Sequence, residues 1–293
     1  MRGVFLISIA LSVPASAAAP LVVRDDYDRE VRLEAPAARV VSLAPHLTEL
    51  LYAAGAGARL VGAVDYSDFP PQAMALPRVG SSAGIDLEAL LALRPDLVVA
   101  WPDSSSERTL ARLTALGLPV YRSEPRALED IARTLERLGR LTGSESAAAL
   151  AARGFRARAA ELERRYAERA PVRVFYEIWD RPLMTVNGEH VISKVLRLCG
   201  GRNVFAELPV LAPSIDREAV LRADPEVIVA SALQGERPAW LEAWSAYPGL
   251  TAASRGNLYA VPPELIQRHT PRLLDGAERL CAILEKARAK RTR

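Results

Sequence analysis

The stretch LEALLALRPDLVVAW, Leu87 to Trp101, returns 130 residues later as REAVLRADPEVIVAS, Arg217 to Ser231. Each copy reads as a short helix, a break at a proline, and an apolar strand of the kind that is buried on both faces. Glu88 aligns with Glu218. The repeat indicates one αβ unit used at corresponding places in two α/β lobes, although helix–proline–strand units are common and two of them can also match by chance.

Strands and helices alternate on both sides of each copy, which is the pattern of a parallel sheet flanked by helices. The apolar runs predict four strands in the first half of the chain and three in the second. They are 39–43, 60–64, 97–100, 119–121, 173–179, 227–230 and 257–261.

The run 144–170 is rich in the strong helix formers Ala, Arg and Glu, and Pro171 ends it. At 1.5 Å per residue such a helix spans about 40 Å, which exceeds the diameter of one small domain. We therefore predict two Rossmann-like α/β lobes with central parallel sheets, 20–142 and 171–293, joined by one long helix within 143–170.

The N-terminus has the pattern of an export signal. Arg2 precedes the apolar run 4–13, and the small residues Ala15-Ser16-Ala17 follow it. The run is too short to span a bilayer, and no cysteine follows it that could carry a lipid anchor. We expect residues 1–19 to be a signal peptide that is cleaved near Ala17 to Ala19, and the mature protein to be soluble in the periplasm.

Export bears on the two cysteines, Cys199 and Cys281. In an oxidising compartment such a pair favours a disulfide over two free thiols. The bridge would close a loop of roughly 80 residues, for which loop entropy gives about 4–5 kcal/mol. Two buried thiols are the alternative.

Charge and motifs exclude several classes of function. The net charge is +3, the arginines are interspersed with glutamates, and no basic cluster is interleaved with aromatic residues, so we expect no nucleic-acid partner. The chain has no phosphate-binding P-loop and no H-E-x-x-H or C-x-x-C motif, so we predict no enzyme. Gly80 to Gly84 matches the G-x-S-x-G elbow of serine hydrolases, with Ser82 as the nucleophile, but the preceding residues are poor strand formers. An exported hydrolase is therefore the enzyme alternative.

The three histidines are candidate ligands. His46 follows the first strand of the first lobe, His269 lies in a loop near the end of the second lobe, and His190 is the third. Ligands of α/β proteins bind at such ends of elements. Three imidazoles from two lobes could form a zinc or manganese site, although histidines in surface loops are also ordinary.

The few aromatic residues concentrate at strand ends and in adjoining loops. Tyr66 and Phe69 lie in the loop 65–71, Trp101 ends the repeated strand, and Trp179 follows a strand of the second lobe. Aromatic side chains at such ends of two facing lobes would line a cleft for a large planar or apolar ligand. Ordinary filling of the core is the alternative for each residue taken alone.

Glu88 and Glu218 lie in the first turns of their helices, where a carboxylate is favoured by the helix dipole. Their equivalence in the repeat indicates more, namely one exposed carboxylate on each lobe. Two such groups could dock onto arginine residues of a symmetric partner.

Six segments carry a resemblance to a known family: RVVSLAPHLTELLYAAG, DYSDFPPQA, LEALLALRPDLVVAW, LCGGRNVF, REAVL and TPRLLDGAERLC. Together they resemble the periplasmic cobalamin-binding proteins of ABC-type vitamin importers, whose two lobes are joined by a single helix. The resemblance covers nearly all of the mature chain. It implies a protein without a cofactor, expected to be a monomer, that holds cobalamin or a related corrinoid between its lobes and delivers it to the permease dimer of an ABC transporter.

Position by position, the resemblance implies that Tyr66 and Trp101 stack on the ligand and that Met184 occupies a position that is aromatic in the family. Glu264 and Arg268 fall on polar contact positions. It also implies roles outside the cleft for four residues: Glu88 and Glu218 would engage arginine pockets on the two permease subunits, and Cys199 and Cys281 match a family disulfide.

The chain departs from the family pattern at three places. A tryptophan expected beside Ser81 is absent, Ala212 replaces another, and His46 stands where a small polar residue is usual. The wider family also carries haem and ferric siderophores, and haem proteins use Tyr or His as iron ligands. The ligand therefore stays open between a corrinoid, haem, a siderophore and a zinc or manganese ion, with His46 or His269 as candidates to coordinate cobalt or iron.

Overall fold

The structure is a computed structural model that describes residues 19–81, 83–102, 105–232 and 238–291. The predicted signal peptide, 1–19, lies outside this part of the chain except for its last residue. None of the helices formed by the described residues combines the length and the apolar character that spanning a bilayer requires.

The described residues of the N-terminal lobe form eight strands and four helices. The strands are β1 (Leu21–Arg24), β2 (Glu30–Leu33), β3 (Val40–Ser42), β4 (Leu60–Ala63), β5 (Gly80–Ser81), β6 (Gly84–Ile85), β7 (Leu97–Ala100) and β8 (Val120–Arg122). The helices are α1 (Pro45–Ala53), α2 (Leu87–Ala92), α3 (Glu107–Ala115) and α4 (Leu128–Thr142), and two short 3₁₀ helices are Gly57–Arg59 and Pro71–Ala75.

The linking helix and the C-terminal lobe follow. The helices are α5 (Glu145–Tyr166), α6 (Val191–Leu198), α7 (Arg217–Ala223), α8 (Ala239–Glu242), α9 (Thr251–Ser254), α10 (Pro263–Ile266) and α11 (Leu273–Ala289), with a 3₁₀ helix at Ala243–Ala246. The strands are β9 (Val172–Glu177), β10 (Trp179–Asp180), β11 (Leu183–Met184), β12 (Gly201–Asn203), β13 (Val227–Ser231) and β14 (Leu258–Val261).

Each lobe is built on a four-stranded parallel sheet, in the order β4–β3–β7–β8 in the first lobe and β12–β9–β13–β14 in the second. The repeated strands β7 and β13 occupy the same place in the two sheets, since each pairs with the strand that comes first along the chain in its parallel sheet. Their apolar side chains are buried on both faces, as the uninterrupted apolar runs predict. The predicted architecture of two α/β lobes is confirmed.

Helix α5 has 22 residues and spans about 33 Å, so it is shorter than the predicted run 143–170. It starts after Gly143, whose positive φ of 68° ends α4. It ends at Tyr166, whose carbonyl accepts a hydrogen bond from the backbone N–H of Arg169 at 3.1 Å. Pro171 prevents the helix from resuming, and the carbonyl of Ala170 accepts a hydrogen bond from Arg288 Nε at 2.8 Å.

One hydrophobic core runs through both lobes along α5. Phe155, Leu162 and Tyr166 on this helix are buried in the same cluster as Leu47 of the first lobe and Leu280 of the second. Because both lobes pack on one continuous helix rather than on a flexible loop, we expect only a small relative motion between them.

A disulfide joins Cys199, at the end of α6, to Cys281 in α11. Both residues are fully buried. The prediction of a disulfide is thus confirmed against the alternative of two thiols. The bridge ties together two helices that cover the second sheet.

The G-x-S-x-G segment does not have the surroundings of a nucleophile elbow. Strands β5 and β6 on either side of it form a two-residue antiparallel hairpin, whereas the elbow requires a buried strand before the serine and a helix directly after it. Ser82 itself lies outside the described residues.

Candidate functional site

The carboxyl ends of both parallel sheets contribute to a cleft between the lobes. Trp101 follows β7 directly, Tyr66 follows β4, and His46 opens α1 after β3. From the second lobe, His269 and Arg268 follow α10. Parallel α/β sheets bind ligands at this edge because the loops there leave a crevice open.

The three histidines meet in this cleft. The ring centroids of His46 and His269, which come from different lobes, lie 6.2 Å apart, and those of His269 and His190 lie 6.3 Å apart. Trp101 packs edge-on against His46, with 5.1 Å between the ring centroids. The structure therefore brings together three predicted ligand residues, His46, His269 and Trp101, and places His190 beside them.

The imidazoles are uncharged at neutral pH. Burial, together with the smaller effects of the nearby His269 and Arg268, lowers the pKa of His46 to about 3. Burial is also the largest cause for His190 and His269, whose pKa values fall to about 4. The backbone of Pro125 and the carboxylate of Glu124 act against burial and raise the pKa of His269. Neutral imidazoles can donate lone pairs and add no charge to the cleft.

The three imidazoles do not form one zinc or manganese site, contrary to that alternative. Within the described ranges of the chain, no group of three His, Cys, Asp or Glu residues is arranged to hold a metal ion. One physical reason lies in His190, whose Nδ1 accepts a hydrogen bond from the backbone N–H of Ile192 at 3.2 Å. The proton of the neutral ring is then on Nε2, which leaves that nitrogen no lone pair for a metal.

Tyr66 lies at the mouth of the cleft with 79% of its surface exposed and with a positive φ of 62°. Its loop is held by the other lobe: Arg268 donates to the Asp68 carboxylate at 2.6 Å and to the Tyr66 carbonyl at 3.2 Å. A non-glycine residue with positive φ is uncommon and is found often at ligand sites. The ring of Tyr66 is thus presented to solvent by a fixed backbone.

A second contact between the lobes was not predicted from the sequence. Glu49 in α1 is buried and accepts hydrogen bonds from Thr270 Oγ1 at 2.6 Å and from both Nε and Nη2 of Arg272, at 2.8 and 2.7 Å. Arg272 also lies over the ring of Phe69, 3.7 Å from its centroid. In a helix with apolar residues on either side of it, Glu49 resembles an ordinary solvent-facing position, and no local pattern reveals its partner.

The remaining predicted ligand residues lie on the second lobe. Trp179 and Met184 are register partners in the β10–β11 hairpin, and Trp179 is 60% exposed. Glu264 lies in the first turn of α10. The contact of these three residues with a ligand remains a prediction.

Glu177 is a buried carboxyl group that the sequence did not reveal. It ends β9, and its Oε2 accepts a hydrogen bond from Trp244 Nε1 at 2.8 Å. Burial raises the pKa of Glu177 to about 7; the Trp244 hydrogen bond and the charge of Arg217 oppose this rise, and the charge of Asp180 adds to it. No motif marks this residue, because it reads as part of an ordinary apolar strand.

Two surface grooves, of about 690 and 560 Å³, lie on either side of the Arg272–Phe69 stack. Neither is lined by Tyr66, Trp101 or a histidine. The residues predicted from the sequence to contact a ligand thus lie outside these two grooves, except for Phe69.

Glu88 and Glu218 are the second residues of α2 and α7, and both side chains are exposed. Asp86 and Asp216, which precede these helices, accept hydrogen bonds from their first turns. Within the described part of the chain, neither glutamate forms an ion pair. Each lobe thus presents one exposed carboxylate at the equivalent position of the repeated unit.

Two α/β lobes packed on one helix, with aromatic and imidazole rings meeting between them, define a two-lobed ligand-binding protein. The family comparison agrees with that class. Residues 40–265 match the family described as periplasmic binding protein, and the chain belongs to this family of substrate-binding proteins.

Named relatives share much of the chain. A vitamin B12-binding protein of Vibrio cholerae is 39% identical over 250 residues, which are 85% of this chain and 90% of that protein. The crystal structure of the periplasmic vitamin B12-binding protein BtuF of Vibrio cholerae matches with a TM-score of 0.78 at 39% identity, over 86% of this chain and 98% of that one. A periplasmic haem-binding protein of Pseudomonas aeruginosa matches with a TM-score of 0.72 at 28% identity, over 84% and 92%.

Proposed function

We propose that this protein is exported to the periplasm, captures cobalamin or a related corrinoid in the cleft between its lobes, and delivers it to the permease of an ABC transporter. It acts as a monomer of two lobes, 20–142 and 171–293, after removal of the signal peptide, and it needs no cofactor. The observation that carries the proposal is the meeting of an indole ring and imidazole side chains from both lobes in one cleft.

The cleft suits a large flat ligand with polar substituents. Tyr66 and Trp101 offer ring faces and edges for a macrocycle. A flat aromatic side chain makes a more favourable contact with a flat ring than with an extended chain. Arg268 and Glu264 supply a donor and an acceptor for amide groups at the rim of such a ligand. Trp179 and Met184 add an adaptable apolar wall on the second lobe, since methionine adjusts to irregular shapes.

The affinity test is titration calorimetry of the mature protein with cyanocobalamin, haemin and zinc chloride. We expect cyanocobalamin to bind tightest. Truncation of the exposed ring, Tyr66→Ala, should weaken binding about tenfold, which corresponds to about 1.4 kcal/mol. Leu150→Ala, which truncates a side chain that is 66% exposed on the linking helix, is the control and should leave the affinity unchanged. Absence of measurable corrinoid binding would overturn the proposal.

Delivery rests on the two exposed carboxylates, which supports a docking role for Glu88 and Glu218. Both lie in the repeated unit, so they present equivalent anchors to the two halves of a permease dimer. Carboxylates pair with arginine in a bidentate way, which favours one orientation of the loaded protein.

The docking test is Glu88→Arg combined with Glu218→Arg. Uptake of the corrinoid into cells should be lost, while the affinity of the purified protein for the ligand stays unchanged. Glu163→Arg with Glu168→Arg, at exposed positions in and just after the linking helix, makes the same change of charge and should leave uptake intact. A fall in ligand affinity in the first variant would place these glutamates in the binding site instead.

Haem, or another iron complex such as a ferric siderophore, is the second candidate. Imidazole nitrogens in the cleft favour it, because histidine is a common axial ligand of haem iron. Tighter binding of haemin than of cyanocobalamin in the same titration would select this candidate.

A further inference from the structure

His46 has a buried nitrogen atom without a partner. The residue is only 7% exposed, and among the described residues nothing forms a hydrogen bond with its Nε2. A buried polar atom left unpaired costs about 1–3 kcal/mol, so its retention calls for a partner that arrives with the ligand. Because no contact holds a proton on this nitrogen, the neutral ring is free to carry its lone pair there.

His269 supplies a second lone pair from the opposite lobe. The backbone of Pro125 raises the pKa of this ring, as a carbonyl does when it accepts a ring proton. The other ring nitrogen is then left with its lone pair. A histidine that donates to a backbone carbonyl with one nitrogen and binds a metal with the other is the usual arrangement in metal sites.

The spacing of these two rings fits one metal atom between them. A metal–nitrogen bond of about 2.0 Å plus a distance of about 1.1 Å from nitrogen to ring centroid places two imidazoles on opposite sides of a metal with centroids about 6 Å apart. The observed separation of His46 and His269 is 6.2 Å. The two rings belong to different lobes, so a flat ligand between the lobes passes between them.

Two nitrogen donors are too few for a bare ion but enough for a metal inside a macrocycle. A resident zinc site takes three or four protein ligands, and the described residues offer no such group. A metal that a macrocycle already holds in its plane needs only axial ligands.

Resting on the proposed corrinoid binding, we infer that His46 and His269 are axial nitrogen donors to the ligand's metal. Among corrinoids, the cleft therefore prefers those whose axial positions are open, such as a corrinoid that lacks its own lower base. On binding, each of the two imidazole nitrogens replaces one of the two axial water molecules on cobalt, both waters leave, and the oxidation state of cobalt does not change.

The test titrates the mature protein with diaquocobinamide, whose axial positions carry water, and with cyanocobalamin, whose axial positions carry cyanide and its own base. With diaquocobinamide we expect the visible absorption bands to move to longer wavelength. The double variant His46→Ala with His269→Ala should lose this shift, and its affinity should fall more than about tenfold, since even changes around metal ligands cost that much. Free imidazole should restore the shift.

The cyanocobalamin arm separates this inference from the proposed function. If the double variant still binds cyanocobalamin, it is folded. If that variant also retains the spectral shift with diaquocobinamide, axial ligation by the two histidines is overturned, while the proposed corrinoid binding stands. If the wild type binds neither corrinoid, the proposed function fails. His190→Gln should keep the shifted spectrum, because His190 has no lone pair at Nε2; loss of the shift in that variant counts against the assignment.

A haemin arm and a zinc arm identify other metals. Suppose that haemin shows a spectral shift that the double variant loses, and that diaquocobinamide shows no shift. The histidines would then be axial ligands of iron and not of cobalt, and the inference about corrinoids would be overturned. Zinc binding that depends on both histidines would mean a bare-ion site and would overturn it as well.

Discussion

The α2–β7 unit of the first lobe and the α7–β13 unit of the second agree down to single hydrogen bonds. Asp86 and Asp216 each cap a helix by accepting a hydrogen bond from the N–H three residues on, at 2.9 and 2.6 Å. At the turn that follows the helix, Arg94 and Asp224 both have positive φ, of 46° and 41°. The repeated sequence therefore encodes the same local geometry twice.

The agreement extends to the neighbouring strand. Asp96 accepts a hydrogen bond from the backbone N–H of Arg39 at 2.9 Å, and Glu226 does the same for Arg173 at 3.1 Å. In each lobe a carboxylate just before the repeated strand thus holds the start of the central strand β3 or β9.

The two units differ at their last residue, where the cleft begins. Trp101 places a ring against His46, whereas Ser231 lies within 2.7 Å of Tyr176 Oη and accepts a hydrogen bond from Gln267 Nε2, also at 2.7 Å. The helix, turn and strand of the unit are thus repeated in both lobes, but the last residue of the unit, towards the cleft, is not. The comparison shows that the shared unit sets the same local geometry in both lobes, while the residue at its end has different partners in the two lobes.

The largest expected difference between the lobes comes from the disulfide, which the first lobe lacks. Replacing both Cys199 and Cys281 by Ser opens a loop with a sequence separation of 82 residues. We expect the free energy of unfolding to fall by about 4–5 kcal/mol. Denaturant unfolding measures the loss, and hydrogen exchange should show it mainly in α6 and α11. A loss below about 1 kcal/mol would contradict the loop-entropy account.

The next effect tests how firmly the lobes are joined. Glu49→Gln leaves Arg272 without its charged partner, and the side chains of the two residues are only 3% and 19% exposed. We expect a loss of about 3 kcal/mol in the free energy of unfolding. Glu30→Gln removes an exposed ion pair with Arg24 and Arg32 as a control and should cost less than about 1 kcal/mol. Equal losses in the two variants would mean that burial of the Glu49 pair is unimportant.

A pH-dependent difference is expected at the end of β9. Leu43 takes the corresponding place in the first lobe, so only the second lobe has a titrating group there. The folded-state pKa of Glu177 is raised to about 7, so its stabilising contribution is present at acidic pH and is lost as the pH rises through 7. Glu177→Gln keeps an acceptor for Trp244 and removes this titration.

Between pH 5 and pH 8 we expect the Glu177→Gln variant to gain stability relative to the wild type by roughly 2–3 kcal/mol. Urea unfolding at several pH values measures this change. Glu218→Gln, an exposed carboxyl group in the same lobe, serves as the control and should show a flat difference. A difference for Glu177→Gln that does not vary with pH would show that the carboxyl group has an ordinary pKa.

The smallest effect concerns the shared positive φ. Arg94→Gly should be neutral or stabilising by up to about 1 kcal/mol, because glycine tolerates this backbone without strain. Asp224→Gly should instead destabilise by about 1 kcal/mol, because its carboxylate accepts hydrogen bonds from Thr251 N and Oγ1 at 2.8 and 2.7 Å. Thermal unfolding of the pair tests this. If both substitutions stabilised the protein, the backbone strain at Asp224 would outweigh the hydrogen bonds of its side chain.

The sequence by itself determined the fold class, the repeated unit and the carboxylates at its helix starts. These features depend on local causes: apolar runs of strand length, proline breaks, caps and helix propensity, all of which act within a few residues. Glu88 and Glu218 were found for this reason, since the repeat aligns them. The linking helix was also predicted, but its end at Tyr166 was not, because the composition of residues 167–170 still favours a helix.

Only the tertiary structure decided which distant residues meet. The pairing of Glu49 with Arg272 joins residues 223 positions apart, and the approach of His46 to His269 joins the two lobes. No local pattern records such contacts, because they arise only when the two lobes pack on one shared helix and the carboxyl ends of their sheets meet. The tautomer that keeps His190 from binding a metal is likewise set by a backbone N–H and not by the residue type.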